Sequence, residues 1–242
     1  GIGRLPQRLA EQGAFEVRTG VTVRELHRIA TGFELVTGPT SSPERITTDE
    51  VVLAIPAAPT ARLLKDIAPT ASNTLSEIEY ASMAIVTMAF PAAAIAQLRD
   101  SGSSGFLVPP IDGRRIKAAT FSFNKWDWVR EAGDGVLLLR TSLGRHREEA
   151  ALQLSDDELV QVSREDLATA TGVEAQPIDA HVQRWGGALP QYAVGHLDRV
   201  QRIRATIEQV DGLVLCGAAY DGIGIPAVIS SAQKAVAQLV GA

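Results

Sequence analysis

Gly212-Leu-Val-Leu-Cys-Gly-Ala-Ala-Tyr-Asp-Gly-Ile-Gly-Ile-Pro226 is the stretch on which the fold turns, and an apolar helix follows it as far as Val240. An apolar strand from Gly212 to Cys216 enters a turn freed by Gly217, Gly222 and Gly224, and Pro226 suits the first helical position. Amides at such a helix start lack intrahelical partners and sit at the positive end of the dipole, so they favour a negative charge placed against them. Spacing alone is matched equally well by an ordinary strand-to-helix connection.

Upstream, Glu50 to Ile55 carries the apolar run Val51-Val52-Leu53-Ala54-Ile55, stopped by Pro56, as expected of a strand buried on both faces. Helices are predicted at 4–12, 59–64, 71–78, 92–99, 155–170, 196–208 and 226–240. Ser155 is the predicted N-cap of the fifth, and Glu158 completes a capping box. Further strands are predicted at 15–18, 21–29, 33–36, 82–90, 105–108, 116–123, 136–143 and 178–185, with 40–44 a polar loop. Consecutive strands fill the middle while the ends read as α/β material. The expected class is α+β around a central mixed sheet.

Composition narrows the function classes. Of 242 residues 45% are hydrophobic and 21% charged, the proportions of a soluble globular protein with a large core. The net charge of −5 argues against broad, non-specific nucleic-acid binding. A single cysteine, Cys216, excludes an intrachain disulfide and a cysteine-cluster metal site, and the four histidines show no metal-ligand spacing. No metal is therefore expected, and the cysteine count with no recognisable signal peptide points to the cytosol. Tyr80 to Leu98 lacks charge, but Pro91 interrupts it, so a strand and a short helix are expected there in place of a membrane span. The chain starts at Gly1 with a helix-like segment close behind, which leads us to expect a piece of a longer protein.

Other candidates are weaker on the residues alone. Gly1-Ile-Gly-Arg-Leu-Pro6 has Pro at the sixth position and no preceding strand, so it is not a dinucleotide fingerprint. Arg184-Trp185 through Pro190-Gln191-Tyr192 could line a pocket, although core packing of Trp185 and Tyr192, with His196 and Asp198 in a first helical turn, is favoured. Asn124-Lys125-Trp126-Asp127-Trp128 could rim a pocket or cap a sheet edge. Cys216 reads as a buried strand thiol, and 148–149 and 156–158 as solvated helix ends. No residue is assigned as catalytic.

Three blocks taken together resemble a known family. They are Gly1-Ile-Gly-Arg-Leu-Pro6 at a helix start, Pro190-Gln191-Tyr192 with Gly195-His196, and Gly217 through Pro226 with its helix. The family resembled is the oxygen-dependent protoporphyrinogen/coproporphyrinogen oxidases of the flavin-dependent amine oxidase superfamily. The likeness spans essentially this whole chain but only the C-terminal half of a typical member.

The resemblance implies a flavoprotein of haem biosynthesis, in which FAD takes hydrogens from a porphyrinogen in successive two-electron steps and oxygen is the final acceptor. By position it implies that the backbone of Val23 meets the adenine, that Trp185 lies against the FAD, and that Ile223, Gly224 and Ile225 lie beneath the flavin pyrimidine. Ile55-Pro56 would lie near the cofactor, and Lys125 and Trp126 beside the substrate. It also implies three segments: 1–65 and 181–242 as parts of the FAD-binding domain, and 66–180 as the mixed-sheet substrate lobe. Peripheral membrane contact, seen in some relatives, belongs to the same expectation. The strand–GxGxxG–helix unit that holds the FAD diphosphate, and the acidic residue after it, have no counterpart here. The chain alone is therefore expected to hold flavin weakly or not at all, without turnover. Other readings are a different superfamily member, such as a desaturase or amine oxidase, and a non-catalytic module that binds a porphyrin or a haem-pathway partner.

Overall fold

The computed structural model describes residues 1–241. The chain divides into two compact units, residues 1–78 with 193 onward, and residues 79–192. These divisions fall after 78 and 192, whereas the sequence places them after 65 and 180. The first shift arises because a helix pair after 56 packs within the first unit, the second because the last strand of the second unit continues to Pro190.

The first unit opens with α1 (Arg4–Gln12), which buries none of its residues and leaves Leu5 and Leu9 exposed. A three-stranded antiparallel meander follows, β1 (Val23–Ile29), β2 (Gly32–Thr37) and β3 (Glu44–Thr48). Residues 15–18, expected as a strand, are irregular, and the polar 40–44 segment leads straight into β3. Leu26 and Phe33 are buried on one face of the meander and Val36 on the other, and the Arg28 guanidinium lies 4.7 Å from the Phe33 ring centre.

β4 (Val51–Leu53) leaves the meander and pairs in parallel with β10 (Leu213–Leu215). Val51 and Leu53 are buried but Val52 is 41% exposed, so the expectation of burial on both faces is corrected. In this two-stranded sheet only one face of β4 is covered. α2 (Ala57–Leu64) and α3 (Pro69–Ser76) bury Ala57, Leu64, Ala71 and Leu75, and Ser72 Oγ donates to the Ala61 carbonyl at 2.7 Å to join them. α3 packs on α8 (His196–Ile207), which buries Val200, Ile203 and Ile207. α9 (Ala218–Asp221) and α10 (Ile225–Val240) complete the unit.

The second unit is built on alternation. β5 (Tyr80–Pro91) buries Ala84, Val86, Met88 and Phe90 and turns the intervening side chains outward. It lies fourth in a five-stranded sheet of order β6 (Gly105–Leu107), β7 (Ile116–Phe121), β8 (Val136–Leu143), β5, β9 (Asp179–Pro190). Every neighbouring pair in this sheet is antiparallel, as in the meander, so among the described residues parallel pairing is confined to β4 and β10. The uncharged 80–98 stretch forms β5, one 3₁₀ turn and part of α4 (Ala96–Asp100). No helix of the described residues is long and apolar enough to cross a membrane.

Two short helices, α5 (Ser122–Lys125) and α6 (Asp127–Ala132), leave the end of β7. α7 (Asp156–Thr171) covers the buried face of the sheet with Leu159, Val162 and Leu167. Its start is the predicted capping box: the Glu158 amide donates to Ser155 Oγ at 3.3 Å, and the Ser155 amide to the Glu158 carboxylate at 2.7 Å. The Ser155 amide, and then its hydroxyl at 2.8 Å, donate to the Glu158 carboxylate and hold its pKa below the ordinary glutamate value. Polar links also join α7 to the sheet: Thr141 Oγ1 donates to Ser163 Oγ at 2.8 Å, and the Ile116 amide donates to the Asp166 carboxylate at 2.9 Å.

Candidate functional site

In the first unit the parallel pairing brings the carboxyl ends of β4 and β10 side by side. The Cys216 amide donates to the Leu53 carbonyl at 3.2 Å, so Ile55-Pro56 and Gly217 leave adjacent strand ends. Open α/β sheets bind their ligands at such ends. Gly217 takes φ +121°, and a Cβ built there meets nothing within 4 Å, so the turn backbone is uncovered. After Gly222, also at positive φ, the chain passes Ile223 and enters α10.

No side chain caps α10 at Gly224, Pro226 has no N–H to offer, and Ile223 and Ile225 are 55% and 43% exposed on either side. Uncapped amides between two apolar side chains suit a flat ring that is apolar over most of its surface and gains negative charge at one edge. The residues present thus fit a flavin.

A chain of hydrogen bonds holds the turn from behind. The Gly217 amide donates to Ser231 Oγ at 3.0 Å, and Ser231 Oγ donates to Asp221 Oδ2 at 2.5 Å. Arg204 completes it at 2.7 Å from the same oxygen. Burial works against the Asp221 carboxylate, but the Arg204 and Ser231 hydrogen bonds and the charges of Arg204 and Lys234 outweigh it and leave its pKa lowered. Burial, helped by Asp221, pushes the Cys216 thiol up, so this cysteine is an inert strand residue, as its sequence surroundings indicate. His196 is buried at the start of α8, and burial lowers its pKa despite an opposing hydrogen bond with the Ala219 backbone. Nothing in the local sequence marks Arg204, Asp221 and Ser231 as a group, because they lie on α8, α9 and α10.

Val23, 39% exposed, lies at the start of β1 in the separate meander and pairs with Thr37. Ile55-Pro56 follows β4, and the glycine-rich turn that leads to Ile223, Gly224 and Ile225 follows β10, whereas Val23 starts a separate sheet. A cleft of about 480 Å³, lined in part by His27, Asp66 and Asp211, lies at the opposite, amino end of β10.

Trp185, Lys125 and Trp126 belong to the second unit. Trp185 and Tyr192 are 52% and 46% exposed, so the expectation that they pack in the core is corrected. β9 is one of the two edge strands of its sheet, and its outward side chains are exposed. Trp185 pairs with Met83, and both belong to the outward face of the sheet. Lys125 ends α5 and Trp126 follows it, beyond the end of β7, with Lys125 Nζ 5.8 Å from the Trp126 ring centre. The register sets Thr120, Arg140, Thr87 and His181 in one row across four strands. In that row Thr87, Thr120 and Arg140 each stand between two buried neighbours.

A Gly-rich turn at parallel strand ends, feeding an uncapped helix, places this chain among the nucleotide- and flavin-binding α/β proteins. A family model described as flavin containing amine oxidoreductase matches residues 1–240, and the chain belongs to that family. It is 40% identical over 194 residues to the coproporphyrinogen III oxidase of Mycobacterium tuberculosis (strain ATCC 25618 / H37Rv), a match covering 80% of this chain and 41% of that protein. The corresponding Bacillus subtilis (strain 168) protein is 30% identical over 189 residues, covering 78% and 39%. Among solved structures, a provisionally named protoporphyrinogen oxidase from Exiguobacterium sp. 255-15 superposes with TM-score 0.83 and 29% identity, over 100% of this chain and 51% of that one. The chain thus spans about two fifths of the length of the curated relatives it matches.

Proposed function

We propose that this chain is part of an FAD-dependent enzyme of haem biosynthesis that oxidises a porphyrinogen. The unit of residues 1–78 with 193 onward would be the C-terminal part of its FAD-binding domain, and the unit 79–192 the substrate lobe. The observation that carries the reading is the uncapped start of α10 between exposed Ile223 and Ile225, at the carboxyl ends of a parallel strand pair. The names of the relatives direct the choice of substrate.

FAD held there supplies the redox chemistry. The chain's own contribution is placement. Ile223 and Ile225 bound the ring, the Ile225 amide faces its electron-accepting edge, and Gly224 leaves room for the approach. The Val23 backbone meets the adenine, and Trp185 also contacts the cofactor. Lys125 and Trp126 stand beside the macrocycle. Molecular oxygen as acceptor, a cytoplasmic location and peripheral membrane contact complete the proposal.

The test is aerobic incubation of the full-length flavoprotein with coproporphyrinogen and with protoporphyrinogen, following porphyrin fluorescence and oxygen uptake together. Porphyrin formation that tracks oxygen uptake supports the reading. A protein that carries flavin but oxidises an amine and leaves both porphyrinogens untouched overturns it in favour of another amine oxidase.

A further inference from the structure

The outward face of the five-stranded sheet is largely apolar around Arg140. Leu107, Leu138 and Trp185 on it are 84%, 41% and 52% exposed, and Ile85 and Ala89 lie between them on β5. Arg140 stands in the middle of this face, flanked in register by Thr87 of β5 and Thr120 of β7, with His181 one strand further.

Among the described residues Arg140 forms no ion pair, and its one polar contact is Nη2 to Ser122 Oγ at 3.4 Å. The one carboxylate in the rows around it is Asp179, whose Oδ1 accepts from the Ala180 amide at 2.8 Å. A guanidinium has five donors in a planar fork suited to a carboxylate, and here nearly all of them are unused. A flat apolar body with carboxylates on its rim would complement both the apolar bed and the cation. The face offers about 20 Å along β5 from Met83 to Ala89, the rise of six strand residues.

We propose that Arg140 is a substrate-binding residue that takes one peripheral carboxylate of the macrocycle, with the Thr87 and Thr120 hydroxyls beside it. The inference rests on the porphyrinogen reading above and adds to it the group that orients the ring on the sheet.

The experiment measures equilibrium binding of coproporphyrin, the free acid, and of its fully esterified counterpart to the full-length flavoprotein by fluorescence quenching. Arg140→Met is expected to weaken binding of the acid about tenfold, the loss of one charge-assisted contact, and to leave the ester within about twofold. Arg140→Lys, which keeps the charge without the fork, is expected to recover part of the acid affinity. Acid binding by Arg140→Met equal to wild type overturns the inference and leaves the porphyrinogen reading standing. Equal loss of acid and ester overturns it too, because that marks a structural role. A wild-type protein that binds neither ligand overturns the inference and the reading together.

Discussion

At the scale of single residues, Gly224 and His196 make opposite statements about the turn. Gly224 has the extended backbone of an N-cap (φ −74°, ψ 145°), and a Cβ there would come no closer than 3.9 Å to Pro226 Cδ, so a side chain is sterically admissible. Gly224→Asp would cap α10 and place a charge at the positive end of its dipole, stabilising the fold by roughly 0.3–1 kcal/mol. The same carboxylate would occupy the amides offered to the flavin. The expected outcome in the full-length protein is a higher urea midpoint with flavin affinity at least about tenfold lower; unchanged flavin content would show that these amides do not face the cofactor. His196 is held neutral: burial disfavours its charged form, Arg199 adds to that, and the bond with the Ala219 backbone only partly offsets them. Its folded pKa therefore lies below the unfolded value of about 6.5, and the unfolded state binds the proton first. Its contribution to stability is complete above about pH 6.5 and is lost as pH falls through the lower, folded pKa. His196→Gln should flatten that part of the stability–pH curve, measured by urea unfolding between about pH 8 and pH 5.

At the scale of elements, Thr141 and Ser163 tie β8 to α7 through a hydrogen bond between two side chains that are fully or almost fully buried. Thr141→Val keeps the shape but leaves the Ser163 hydroxyl unpaired, a loss of about 1–3 kcal/mol. Adding Ser163→Ala should return most of that loss, and a double-mutant cycle measures the coupling. Additive losses would show that the pair contributes only by packing. Elements of this kind were legible where the pattern was local. The apolar alternation of β8 and the Ser155/Glu158 box fixed their elements to within a residue or two. β3 was not legible, because Glu44-Arg45-Ile46-Thr47-Thr48 has no apolar face and is a strand only through its pairing with β2. The turn at Gly217–Ile225 could be read for the same local reason, since glycine and proline act on the backbone directly. The Arg204–Asp221–Ser231 links span sequence separations of 17 and 10, and the Arg140 row depends on register across four strands, so neither leaves a trace in any short window.

At the scale of the whole molecule, the first unit carries more uncovered apolar surface than its own elements can bury. α1 buries nothing, Ile225, Ile229, Val236 and Val240 of α10 are 43–66% exposed, and Val52 opens one face of a sheet that has only β4 and β10. Parallel sheets normally have both faces covered, and exposed apolar patches of this kind mark interaction surfaces. The Gly217–Ile225 turn therefore sits in a unit with uncovered apolar faces, and the diphosphate-binding fingerprint has no counterpart in residues 1–242. A cofactor of FAD's size needs contacts along its whole length, and a ring site without a diphosphate site forfeits most of the affinity. The 242-residue chain, expressed by itself, is expected to purify without stoichiometric flavin absorbance and to turn over no porphyrinogen. Supplying the remaining part of a longer homologous protein, on the same chain or as a separate one, should restore both. The measurement is flavin absorbance per mole of purified protein, before and after addition of FAD. A stoichiometric yellow protein from residues 1–242 alone would mean that the Gly217–Ile225 turn and its neighbours hold the cofactor unaided, against the low affinity expected of an isolated ring site.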